Sequence, residues 1–85
     1  MFKVEKKDGT LQEYDQSKVI NSMVTAGASH EEAAKVLPEV EAWAEAMAEN
    51  GVIKSVDIRL EVIKELRTVN PEAASVFEKF SKPQA

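Results

Sequence analysis

The spacing of apolar residues changes near residue 15. Before it, Phe2 and Val4 alternate with charged residues, and a second short apolar-polar run spans Leu11–Tyr14, with Asp8–Gly9 between the two. That pattern predicts two short strands joined by a hairpin. Beyond Asp15 the apolar positions recur every three or four residues. Val19, Ile20, Met23 and Val24 share one side of a helix from about Gln16 to Ala26, with Asp15 as its N-cap and Gly27 closing it. Ser29 with Glu32 forms a capping box that opens a second helix. Its stripe of Ala33, Val36, Leu37, Val40, Ala44 and Met47 runs in phase across Pro38, which predicts one kinked helix ending at Asn50–Gly51. Val52–Lys54 reads as an extended piece that can add a third strand. Ser55 then caps a third helix carrying Ile58, Leu60, Val62, Ile63, Leu66 and Val69, an apolar arc wide enough to make it the most buried of the set. Asn70–Pro71 is a cap followed by proline at the first helical position, opening a fourth helix with Ala73, Ala74, Phe77 and Phe80. The expected architecture is α+β, a four-helix bundle capped by a small two- or three-stranded β-sheet. It forms one domain over residues 1–85, with an ordered core of about 2–80 and a frayed end at 81–85.

Composition narrows the chemistry. Apolar residues make up 44% of the 85 positions and charged residues 31%, so a packed core is affordable and disorder is confined to the ends. There is no cysteine, which removes disulfides, thiolate metal sites and cysteine nucleophiles and fits a reducing compartment. The lone histidine, His30, reads as a surface residue. No apolar run is long enough to span a membrane and Met1–Asp15 has no apolar signal segment, so a cytoplasmic protein is expected. The net charge is −4, and residues 29–50 hold six glutamates against Lys35 alone. That balance argues against broad nucleic-acid binding, which needs a basic stripe. No nucleophile–base set or distinguished carboxylate pair suggests catalysis, and no protein-ligated metal is expected.

The hairpin holds the point of interest. A two-residue Asp8–Gly9 turn would mix apolar and charged side chains on both faces. A three-residue loop, Asp8–Gly9–Thr10, pairs Val4 with Tyr14 and Lys6 with Gln12, giving an apolar face at Val4 and Tyr14 extended by Phe2. Period two places Lys6 on that same inward face. An inward lysine needs a carboxylate, an anion or room to snorkel to the sheet edge, and the pattern leaves those readings open. Lys18, in the first turn of the next helix, can close on the same place, where the amides of a helix start also attract negative charge.

The stretch "VEKKDGTLQEYDQSKVINSMVTAG" resembles the opening of an ATP-cone domain, in which a "V-x-K-R-D-G" strand and loop precede "F-D-x-x-K-I-x-x-S/A-I-x-x-A". Val4, Lys6, Lys7, Asp8, Gly9, Tyr14, Asp15, Lys18, Val19, Ser22, Val24 and Ala26 carry the match. The later "VIKSVDIRLEVIKELRTVNPEAASVFEKF" is similar to the family's third and fourth helices, so the resemblance covers about Phe2–Phe80. It implies a non-catalytic allosteric module of the kind found in ribonucleotide reductases and their zinc-ribbon repressor, which binds ATP or dATP, with or without Mg2+, between sheet and helices. By motif, Val4, Tyr14 and Val19 would line the base pocket, with Ile58 a further candidate. Lys6, Lys7 and Lys18 would meet phosphates, as would Ser55 and Arg59, one turn apart on the third helix, with Lys79 and Lys82 as weaker additions. Three departures stand out: Lys7 where arginine is common, Tyr14 where phenylalanine or an aliphatic is usual, and Gln12 where an acidic residue often contacts the nucleotide. This sequence holds neither a reductase domain nor a cysteine zinc ribbon, so it is either an excised domain or a module whose regulated partner is a second copy or a separate protein. The alternative is a helical interaction domain whose nucleotide site has decayed.

Overall fold

The computed structural model describes residues 2–80, with side chains through Lys79; the frayed end expected at 81–85, including Lys82, lies outside the described residues. The elements run β1 (Lys3–Glu5), β2 (Leu11–Glu13), α1 (Gln16–Thr25), α2 (His30–Met47), β3 (Val52–Lys54), α3 (Ser55–Val69) and α4 (Pro71–Phe80). This is the expected α+β arrangement of four helices and a small sheet. The sheet has three strands in the order β2–β1–β3, so the first strand is the central one, antiparallel to β2 and parallel to β3.

The hairpin register differs from both pairings considered above. Lys3, Val4 and Glu5 face Glu13, Gln12 and Leu11, and the loop is Lys7–Asp8–Gly9, not Asp8–Gly9–Thr10. Local chemistry explains the shift. Gly9 takes a φ of 87°, the left-handed conformation that ends a three-residue loop, and Asp8 Oδ1 accepts the Thr10 amide at 2.9 Å. Lys6 and Thr10 then close the ladder, the Lys6 amide donating to the Thr10 carbonyl at 2.8 Å. The shift is by two residues relative to the three-residue reading, so parity survives and Val4, Gln12 and Tyr14 still share a face. The Phe2 and Tyr14 rings meet at 4.6 Å between centroids, with Phe2 buried.

Helix boundaries follow the caps. Asp15 Oδ1 accepts the Ser17 amide at 2.9 Å, and α1 ends in a Schellman motif, with the Ala28 amide on the Met23 carbonyl and the Gly27 amide on that of Val24. The Ser29–Glu32 capping box is complete, and α2 runs through Pro38 as a single helix. It stops at Met47, short of the predicted Asn50–Gly51. Those two residues instead form a tight reversal with φ of 54° and 75°, across which Glu49 and Val52 exchange both amide–carbonyl bonds at 2.9 and 3.0 Å. An Asn-Gly pair suits a turn that needs positive φ at both central positions, and this wins over helix propagation. Ser55 is not the cap of α3. The strand runs to Lys54, which is itself the N-cap and makes no side-chain cap hydrogen bond, so Ser55 is the first helical residue.

The core gathers Phe2, Met23, Val36, Val40, Val62 and Leu66, with α3 packed against α2, α4 and β3. On α3, Leu60 points outward and Glu61 is buried instead, because the arc centred on Ile58, Val62 and Leu66 passes through position 61 and leaves position 60 opposite it. Ala73, Ala74 and Phe77 bury as expected, and Trp43 is half-buried against the core. Two helix starts are tied together by one carboxylate. Glu32 Oε1 accepts the Ser29 amide and the Asn70 side-chain amide, both at 2.9 Å, while Asn70 Oδ1 accepts the Ala73 amide at 3.0 Å. The Asn70 hydrogen bond is the main reason the Glu32 carboxyl is held below its ordinary pKa, with the Ser29 amide adding to it.

Asn70→Ala should cost about 1 kcal/mol in urea denaturation at neutral pH through loss of the N-cap. A carboxyl whose folded pKa is lowered adds stability above its unfolded value and loses it as pH falls through the folded one. The Asn70→Ala variant should therefore lose stability less steeply on acidification than the parent, as read from melts across the acid range.

Candidate functional site

A groove opens where the inward face of the hairpin meets the starts of α1 and α3. One part, about 130 Å3, is lined by Val4, Gln12, Glu13 and Tyr14 from the hairpin, by Asp15 at the N-cap and Lys18 and Val19 of α1, and by Ser55 and Ile58 from α3. The other, about 200 Å3, shares Lys18, Val19, Ser55 and Ile58 and extends to Ser22, Arg59, Val62 and Phe77. The four shared residues make the two parts one continuous groove between α1 and α3. Strand register and helix period produce this convergence. Val4 and Gln12 are cross-strand partners, and Val4 is also paired with Ile53, which leads directly into Ser55. Lys18 and Ser22 are one turn apart on α1, as are Ser55 and Arg59 on α3.

The groove is apolar along one stretch and charged around it, with the Glu13 and Asp15 carboxylates and Lys18 in the first part and Arg59 in the second. Val4, Val19, Ile58 and the Tyr14 ring form the apolar stretch, and Lys18 and Arg59 bring positive charge. Arg59 Nη1 is buried without a hydrogen-bond partner, and so is the Tyr14 hydroxyl. A buried, unpaired guanidinium donor is costly, and the residues around this one offer hydroxyls, a lysine and apolar carbons. Burial pushes the Tyr14 phenol well above its ordinary pKa. The Glu41 carboxylate adds to the rise, close enough to favour the protonated phenol although not placed for a well-formed hydrogen bond. That carboxylate already accepts a 2.6 Å hydrogen bond from Gln16 Nε2. The start of α1 is a weaker anion site than the sequence suggested, because Asp15 occupies its Ser17 amide with a carboxylate.

Eight of the ten candidate residues line this groove: Val4, Gln12, Tyr14, Lys18, Val19, Ser55, Ile58 and Arg59. Lys6 and Lys7 do not. The parity argument turned Lys6 inward, but its side chain is exposed at the mouth of the hairpin loop, and Lys7 lies on the loop itself. Lys79 is exposed in the last turn of α4 and lines neither part. Ser22 and Val62 line the groove and are not among the ten candidates, and neither are Phe77, Glu13 and Asp15. Helical spacing could have found the first two, since they follow Lys18 and Ile58 by one turn. Among the described residues no group of three or more His, Asp or Glu side chains could hold a metal ion. No described helix is long and apolar enough to cross a membrane.

The Tyr14 hydroxyl adds no hydrogen bond to the folded state, so Tyr14→Phe should be neutral or stabilising by up to about 1 kcal/mol in urea denaturation. A measurable loss of stability would instead mean that the hydroxyl has a partner, the Glu41 carboxylate being the candidate.

No curated protein sequence matches the chain. The family model of the ATP cone domain matches residues 2–81, nearly its whole length. The chain therefore belongs to the ATP cone domain family, whose members are regulatory nucleotide-binding domains rather than catalytic ones.

Proposed function

We propose that this domain binds ATP or dATP in the groove between α1 and α3, and that occupancy is coupled to association, either with a second copy or with a separate regulated protein. The observation that carries the reading is the buried, unpartnered Nη1 of Arg59, a residue that lines the groove together with Lys18 and Ser55. A phosphate oxygen is an acceptor of the right charge and reach for such a donor, and charge-assisted hydrogen bonds are the stronger kind. In this reading the base lies against Val4, Tyr14, Val19 and Ile58, with Gln12 at its edge, and the phosphates run toward Lys18, Ser55 and Arg59.

Each part of the groove is smaller than the roughly 300 Å3 at which ligand pockets usually begin, so a nucleotide would span both parts. In this reading Lys6 and Lys7, which line neither part, meet only the outer phosphates of a triphosphate that folds back toward the hairpin loop. Mg2+ enters as a companion of those phosphates, without a protein ligand set. Gln12 replaces a carboxylate common in the family by a neutral amide that both donates and accepts, which removes a repulsion toward the polyanion. Coupling to association further requires that the two association states bind nucleotide with different affinity.

Calorimetric titration with ATP, dATP, GTP and AMP, with and without Mg2+, tests the reading. Adenine nucleotides should bind more tightly than GTP. Arg59→Ala or Lys18→Ala should weaken ATP binding by about 1.5–3 kcal/mol while leaving the fold intact. Lys6→Ala should weaken ATP but leave AMP unchanged. Sedimentation with and without ATP reads the coupling. Absence of adenine-nucleotide binding at millimolar concentration would sink the proposal and favour a decayed site.

A further inference from the structure

A depression of about 730 Å3, larger than either part of the groove just described, opens elsewhere on the sheet. Its floor includes the cross-sheet row Leu11–Glu5–Lys54, in which each residue is the register partner of the next. That row is one residue along from Gln12–Val4–Ile53, so the pleat turns it to the opposite face. Trp43 and Met47, one turn apart on α2, form a wall, and the Glu49–Asn50 reversal and Asp57 of α3 complete the rim.

Two features mark this surface. Leu11 and Met47 are 52% and 57% exposed beside the half-buried Trp43, which gathers a tryptophan and two large aliphatic side chains around one concavity. Exposed apolar side chains grouped in this way, with a polar rim, are characteristic of recognition surfaces rather than of ordinary protein exterior. The rim is also biased in charge, with Glu5, Glu49 and Asp57 against Lys54. That sign rules out a second polyphosphate site and selects an occupant carrying positive charge next to apolar side chains.

We infer that this depression is a docking surface for a basic amphipathic segment of another protein, one that sets an apolar side chain against Trp43, Leu11 and Met47 and places lysine or arginine on the carboxylate rim. A second copy of this chain is the poorer occupant. Docking of this face on itself would oppose the three carboxylates to one another, and the rest of α2 adds further glutamates to an acid-rich chain. The segment would engage the protein on the face opposite the nucleotide groove, so the two surfaces can be occupied at once.

The test uses the full chain without nucleotide and three short capped peptides, in which leucine alternates with lysine, with glutamate or with serine. In a 1H–15N titration the lysine–leucine peptide should shift the Trp43 indole and the amides of Leu11, Met47 and Lys54, with the glutamate–leucine peptide silent. Met47 is exposed, so Met47→Lys should keep the fold, retain nucleotide binding and weaken the lysine–leucine peptide by tenfold or more, about 1.4 kcal/mol. The double variant Glu49→Lys, Asp57→Lys should reverse the preference toward the glutamate–leucine peptide. Equal response to all three peptides, shifts centred away from Trp43, or concentration-dependent self-association through this face in place of peptide binding would each overturn the inference.

Discussion

The parallel pairing of β1 with β3 is the contact on which the rest of the structure depends. It seats Val4 beside Ile53 and Lys3 beside Val52, and the Lys3 amide reaches the Gly51 carbonyl at 2.7 Å. Through it the hairpin and α1, which follow directly from β1, are held against the first turn of α3, which follows directly from β3. Both surfaces discussed above arise from this one strand. Its inward residue Val4 belongs to the groove between α1 and α3, and its outward residue Glu5 to the acidic depression on the other side. The pairing also brings Phe2 and Ile53 into the one core that α1, α2, α3 and α4 share.

The electrostatics divide along the same strand. The groove gathers Lys18 and Arg59 with Glu13 and Asp15 at the hairpin end, whereas the other depression sets three carboxylates against Lys54, so the acidic bias falls on one face of the sheet. Local fields of this kind govern which ligand approaches which face more than total charge does. Surface ion pairs contribute little beside this. The Lys3–Glu13 pair, at 3.7 Å and largely exposed, is of the type whose net worth is below about 1 kcal/mol. Positions where a polar group is buried without a partner, such as Arg59 Nη1 and the Tyr14 hydroxyl, weigh more, and both lie on residues lining the groove.

Features set by near neighbours could be read from the sequence, and those set by distant ones could not. Ser29 with Glu32 and Asn70 with Pro71 announced helix starts because a cap and its amide lie within three residues. The common face of Val4 and Tyr14 survived a misread loop because parity does not depend on loop length when the shift is even. The register itself turned on whether Gly9 ended the loop or sat inside it, a choice that rests on a single φ. In the sequence Asn50–Gly51 reads as a helix terminus, whereas it is a turn of its own, and the apolar stripe of α2 offers no means to tell the two apart. Ten candidate residues came from motif spacing. The structure brings eight to one groove, while the exposure of Lys6 and the missing partner of Arg59 appear only once the elements are packed.

The central position of β1 also bears on how the molecule folds. Val4 and Gln12 are eight positions apart, whereas Val4 and Ile53 are 49 apart. By loop-closure entropy the longer closure is dearer by about 1.6 kcal/mol in an unstructured chain. Formation of α1 and α2 shortens the path between the two strands, so the helices lower the entropic barrier to the strand pairing that follows them. The groove between α1 and α3, assembled from two distant stretches of chain, is therefore the part of the fold that rests most on that long closure.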